Sequence, residues 1–112
     1  MAPIFENDEH WNLLKDNCKY EFRNYPYEFH NGGSWPMVNG FFGLALLFKS
    51  EQTKAKAILD RINEANSLND FSFFENFNSN TSMPNGVSFC AWSAAAAILL
   101  QQSLCTNFKI LL

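Results

Sequence analysis

SWPMVNGFFGLALLFKSEQTKAKAILDRINEAN, residues 34–66, reads as two helices joined by a tight turn. Ser34 is placed to act as N-cap with Pro36 in the first turn, and the helix it starts runs to about Lys49. Val38, Phe41, Phe42, Ala45 and Leu46 recur at helical period. Leu44, Leu47 and Phe48 widen that stripe until the helix is expected to be nearly buried. Ser50 then caps a second helix, from Glu51 to about Asn66. Its inner stripe is Ala55, Ile58, Leu59 and Ile62, and Lys54, Lys56, Asp60, Arg61 and Glu64 make a solvated face. One buried helix antiparallel to a half-exposed one is a helical hairpin. Alternating inner and outer helices are what a helix-in-helix barrel requires.

Upstream, Asn7-Asp8-Glu9 ahead of Trp11, Leu13 and Leu14 signals a short capped helix ending near Asn17. Residues 19–29 alternate loosely around Pro26 and are expected to be extended or irregular, leading to a turn at Asn31-Gly32-Gly33-Ser34. On the other side, residues 69–87 form a long connection rich in Asn, Ser, Gly and Pro. A connection of that length in a compact domain is functional or disordered; the embedded Phe71, Phe73, Phe74 and Phe77 argue against disorder. From about Ser88 to Leu104 the chain is apolar almost all round, which predicts another inner helix. Its small residues would let neighbouring helices approach closely. The tail from Cys105 to Leu112 ends in Ile110-Leu111-Leu112 and reads as a final strand or a truncated end.

At 112 residues the chain holds one domain. A net charge of −3 and a pI near 5.2 give no footprint for nucleic acid or an anionic membrane. The longest apolar run, residues 41–48, is broken by Gly43 and falls far short of the ~20 residues a membrane span needs. The N-terminus lacks the basic and apolar regions of a signal peptide. Cys18, Cys90 and Cys105 are odd in number and form no CxxC pair, which suggests neither a disulfide framework nor a zinc site. A reducing cytoplasm is the expected location, and the Asn80-Thr81-Ser82 sequon reads as chance. Neither a metal nor an organic cofactor is expected. Twelve Phe, three Trp and three Tyr are many rings for a chain with 17% charged residues. A small domain buries only roughly 60–70% of its surface, so the surplus reads as an interface with further chain or as a sugar-binding aromatic wall.

Three segments could carry chemistry. In the segment from Tyr25 to Pro36 (YPYEFHNGGSWP) two glycines let backbone approach a ligand. His30 and Asn31 offer directional hydrogen bonds, and Trp35 or Tyr27 offers a flat apolar face, the mixture that sugar rings require. The same residues also make an ordinary helix start. In Phe73-Phe74-Glu75-Asn76-Phe77 a carboxylate flanked by three Phe has reason to be desolvated, as carboxylates at functional sites often are; it could equally be a loop Glu pointing to solvent. Finally, Pro84-Asn85-Gly86 leads into Ala91-Trp92-Ser93-Ala94-Ala95, where Trp92 and Ser93 could meet a ligand, although a Trp in an apolar helix is usually core.

The eight residues 29–36 resemble the HNGGxWP signature of helical-barrel glycoside hydrolases of the neutral/alkaline invertase and glycogen-debranching (amylo-α-1,6-glucosidase-like) type. Phe74-Glu75-Asn76-Phe77, Pro84-Asn85-Gly86 and Ala91-Trp92-Ser93-Ala94-Ala95 are similar to a later segment of the same enzymes, in the same order and with similar spacing. The resemblance covers roughly residues 8–104. It implies an all-α fold, part of an (α/α)6 barrel, with residues 1–112 a C-terminal fragment of the catalytic domain and the active site at one end of the inner helices. It makes Glu75 the general base of an inverting reaction on α-glucosidic bonds. His30, Asn31, Gly32, Gly33, Trp35 and Trp92 would line the substrate subsite. The general acid would be an Asp in a missing upstream part of the barrel. The nearest local carboxylates, Glu28 and Asp70, match no family motif. The partners implied are an α-glucoside, of sucrose or α-glucan type, and the remainder of the barrel. A non-catalytic carbohydrate-binding or truncated remnant of such an enzyme is the alternative.

Overall fold

The computed structural model describes residues 2–106 and contains four helices and one short two-stranded ladder. These are α1 (Trp11–Asp16), α2 (Pro36–Phe48), α3 (Gln52–Phe71), β1 (Asn76–Phe77), β2 (Pro84–Asn85) and α4 (Ala91–Thr106). The fold is therefore mostly helical. The tail expected to be a strand or a truncated end runs past Thr106 and lies largely outside the described residues.

The helical hairpin forms where the periodicity placed it, but its joints differ. Trp35, extended at φ −113° and ψ 117°, is the N-cap of α2. Ser34 is not, because its backbone is held in a bridge to Phe77 and its hydroxyl accepts a hydrogen bond from Asn39 Nδ2 at 3.1 Å. Nor does Ser50 cap α3. It is left-handed (φ 63°) and closes α2: its N–H donates to the Leu47 carbonyl and the next N–H, of Glu51, to the Leu46 carbonyl. That pair of bonds satisfies the last carbonyls of a helix and reverses the chain. The regular part of α3 ends at Ser67. Leu68 is extended, and Asn69 and Asp70 are left-handed, a conformation Asn and Asp tolerate better than most residues.

Packing follows the inner stripe of α3. Ala55, Leu59 and Ile62 are buried and Ile58 half-buried, while Lys54, Lys56, Asp60, Arg61 and Glu64 face solvent. Leu44 of α2, Leu59 and Ile62 of α3, and Leu100 of α4 form one core cluster. Each contributes about 1.5–3 kcal/mol by leaving water. α2 and α4 touch through small residues. A Cβ on Gly40 would stand 2.7 Å from the Ala96 Cβ, and one on Gly43 2.5 Å from a Leu100 methyl. Contacts that advance in the same direction along both helices make α2 and α4 parallel, with α3 antiparallel to α2. The helices are less enclosed than their composition suggested. Val38, Phe41 and Phe42 on α2, and Trp92 and Ile98 on α4, remain more than two-fifths exposed. Both helices lack charged residues, so nothing in their sequence marks an outer face, and three packed helices cover only one side of each.

Two features fall outside an all-α reading. The 69–87 connection contains the β1–β2 ladder, with Asn76 opposite Asn85 and Phe77 opposite Pro84. Ahead of α2, the aromatic residues pack on one another: Trp11 against Phe22 (5.3 Å), Phe22 against Tyr25 (5.4 Å) and Phe5 against Tyr27 (5.8 Å). Five of the rings thus pack in two small groups within residues 5–27, while Phe41, Phe42, Phe89 and Trp92 among others stay exposed. Among the described residues no helix is long and apolar enough to cross a membrane.

Candidate functional site

The first two sequence segments meet. Ser34 and Phe77 exchange both backbone hydrogen bonds, at 2.9 and 2.8 Å. Ser79 N–H donates to the Tyr27 carbonyl, and Asn78 Nδ2 to the Glu28 carboxylate at 3.2 Å. The third segment joins them from α4. Cys90 N–H donates to the Phe73 carbonyl, and the Ser93 hydroxyl to the Phe74 carbonyl at 2.9 Å. The N-termini of the parallel helices α2 and α4 therefore both abut residues 73–77. Neither carries an acidic residue in its first turn, so their positive dipole ends are left uncompensated by the helices themselves, next to the segment bearing Glu75.

Glu75 is half-buried and sits against the Pro84-Asn85-Gly86 turn. Its N–H donates to the Val87 carbonyl at 2.9 Å, and its Oε2 accepts from the Val87 N–H at 3.3 Å. The side chain lies so close over Gly86 that a Cβ there would stand 2.3 Å from Oε2, and Gly86 is left-handed at φ 75°. Gly86→Ala should therefore strain the turn and push the carboxylate off its seat. The expected loss is about 1–3 kcal/mol of stability, read from thermal unfolding, with an altered carboxyl chemical shift for Glu75. An unchanged melt and an unchanged shift would mean that the carboxylate does not rest on Gly86. On the same side of the molecule, Arg23 is exposed and bound to Glu21 at 2.7 Å. The hydrogen bond and charge of Glu21 raise its guanidinium above the usual value, with a smaller contribution from the charge of Glu75.

The expected sugar-facing residues divide. His30 is exposed, its ring stacked on Trp35 at 5.2 Å and 14°. Trp35 is half-buried, and its indole N–H donates to the Phe29 carbonyl at 3.0 Å. These two rings are one surface unit. Asn31 points inward: it is 5% exposed, accepts from Ile4 N–H at 2.7 Å, and donates to the carbonyls of Ile4 (2.8 Å) and Asn24 (3.0 Å). Its amide holds the N-terminal segment in place. Gly33 packs on backbone as well, since a Cβ there would meet Phe29 N at 2.5 Å, while Gly32 is left-handed at φ 95°. Trp92 lines an apolar depression of about 120 Å³ with Met37, Phe41 and Leu99 between α2 and α4. Among the described residues no group of His, Cys, Asp and Glu is arranged to hold a metal ion.

Sequence reasoning gave no role to Asn76. It is fully buried, and neither its amide nitrogen nor its oxygen has a partner among the described residues. A second missed feature is a groove of about 510 Å³ beside α3, lined by Arg61, Glu64, Phe77, Asn78, Ser79 and Ser82 among others. In the sequence Arg61 and Glu64 show only as part of a solvated face. No family model, curated protein or solved structure matches the chain.

Proposed function

We propose that this chain forms part of a glycoside hydrolase cleaving α-glucosidic bonds, with Glu75 as the base that activates water and a general acid supplied from outside the chain. The observation that carries this reading is the junction of the three segments. The His30–Pro36 loop is tied to the Glu75 segment by the Ser34–Phe77 bridge, at the shared N-terminal end of α2 and α4. A carboxylate steadied over Gly86, a stacked His30–Trp35 surface and two helix N-termini are the components a sugar-cleaving site uses. In the reaction, the acid protonates the leaving oxygen while Glu75 takes a proton from a water attacking the anomeric carbon on the opposite face.

The same reading makes α2 and α4 neighbouring inner helices of an (α/α)6 barrel, with α3 the outer helix between them. The exposed Phe41, Phe42, Trp92 and Ile98 are then surfaces for further barrel helices. Catalysis would take place in the cytoplasm, on sucrose- or α-glucan-type substrates.

Stereochemistry tests this reading. The 112-residue chain alone should turn over sucrose and maltooligosaccharides at background rates, because it lacks the acid. Joined to upstream Asp-bearing hairpins in the complete reading frame, it should release a β-configured product from an α-glucoside, followed by proton NMR of the anomeric signals. A product that first appears in the α-configuration would sink the water-activating role of Glu75. Saturable sugar binding without hydrolysis by the complete protein would establish the non-catalytic alternative instead.

A further inference from the structure

We propose that the groove between α3 and residues 77–82 is a second carbohydrate site, which takes a neutral hexosyl unit away from Glu75. Its ligand class rests on the carbohydrate reading above; its location does not. The groove is built where the two signature segments join, with Ser34 and Phe77 both in its lining. It continues inward into a smaller space of about 190 Å³ that shares Ser34, Arg61, Ala65 and Phe77 and adds Pro36, Asn39, Ile58 and Ile62. The outer part alone falls in the volume range of small-molecule sites, roughly 300–1,000 Å³.

The lining has the chemistry of a polyol site. On α3, Lys54 is paired with Glu51 and Lys56 with Asp60, but among the described residues neither Arg61 nor Glu64 makes an ion pair. They stand one helical turn apart on the groove wall. A guanidinium fork donates in parallel to adjacent hydroxyl oxygens, and a carboxylate accepts from hydroxyl protons. Together they present no net charge, which favours a neutral ligand with vicinal hydroxyls over an anion. Across the groove, Asn78 is already engaged: its Oδ1 accepts from the N–H groups of Asn80 and Thr81, and its Nδ2 donates to Glu28. Ser79 and Ser82 are exposed, and the hydrogen bonds they make among the described residues run through their backbone N–H groups, which leaves their hydroxyls to a ligand. The inner end is mixed: Pro36, Ile58, Ile62 and Phe77 give it an apolar wall that suits the C–H face of a sugar ring, and Asn39 adds a polar group beside it. Glu75 is turned away over Gly86 and takes no part in the lining.

Titrating maltotriose into the isotope-labelled 112-residue chain tests the site. Saturable NMR shifts are expected at Ser79, Ser82 and the Arg61 side chain. Arg61→Ala should weaken that association by at least about tenfold, as loss of a charged hydrogen-bond donor does, and Arg61→Lys should restore it only in part because the fork is gone. Arg61 is exposed, so both variants should melt with the parent. Glu75→Gln should leave the groove shifts intact. Shifts that survive Arg61→Ala, shifts confined to His30, Trp35 and Glu75, or no saturable shift in the groove up to the solubility of the sugar would each overturn the proposal. Shifts confined to the Glu75 side would leave the hydrolase reading standing. Groove binding together with a complete protein that hydrolyses nothing would do the reverse.

Discussion

Leu100→Ala is expected to remove about 2–5 kcal/mol from the stability of this chain. Leu100 is fully buried and is the α4 member of the cluster with Leu44, Leu59 and Ile62. Its methyl groups also fill the space above Gly43, so truncation opens a cavity against both α2 and α3. The neighbouring backbones are helical and cannot collapse into it cheaply. In a domain whose total stability is of order 5–15 kcal/mol, such a loss leaves a substantial unfolded fraction at moderate temperature. Chemical denaturation followed by circular dichroism measures it. Ile98→Ala, two residues away on the same helix but 62% exposed, supplies the contrast and should stay within about 0.5 kcal/mol of the parent. Equal losses at the two positions would mean that α4 does not present the Leu100 face to the core.

Glu75→Gln carries the largest expected effect on activity. Glutamine keeps the shape of the side chain and can still accept the Val87 N–H, so the turn around Gly86 should survive and the melting temperature should not move. What it cannot do is take a proton from water. On the hydrolase reading proposed above, the turnover number of the complete protein should fall by about 10²–10⁴-fold, while KM for an α-glucoside and sugar binding measured by calorimetry change little. Wild-type turnover in the variant would remove Glu75 from the mechanism. A large rise in KM with turnover preserved would make it a binding residue. Gly86→Ala complements this experiment, because it moves the same carboxylate without removing it and should cost both stability and rate.

What the sequence made legible follows charge contrast. On α3, Lys54, Lys56, Asp60, Arg61 and Glu64 define an outer face, so Ala55, Leu59 and Ile62 could be assigned inward, and they are buried. On α2 and α4 no charge marks an outside, and Phe41, Phe42 and Ile98 were read as more enclosed than they are. Joints were harder still. Ser50 looks like a helix start, yet its left-handed backbone serves the end of the preceding helix. The β1–β2 ladder needs only two residues a side, too few to leave a periodic trace.

The candidate site was legible as segments but not as contacts. Residues 29–36 and 73–77 were singled out, and they bond to each other. Which atoms face a ligand depends on partners far away in the chain. Asn31 is turned inward by Ile4, and Glu75 is seated by Gly86 and Val87. Arg61 and Glu64 gain a groove only because residues 77–82 pack beside them.

The parallel seating of α2 on α4 also orders events during folding. Gly40 meets Ala96 across 56 residues of chain (96 − 40), whereas α2 and α3 are joined by a turn of three. The hairpin can close early, because short loops close quickly and distant contacts bear a larger entropic cost. Its apolar stripe must then wait for α4 and Leu100 to cover it. Synthesis from the N-terminus exposes that half-built core while residues 68–90 are still being made. Such a partly covered hairpin is prone to aggregate, so the docking of α4, which brings Leu100 onto Leu44, Leu59 and Ile62, is the step expected to protect it.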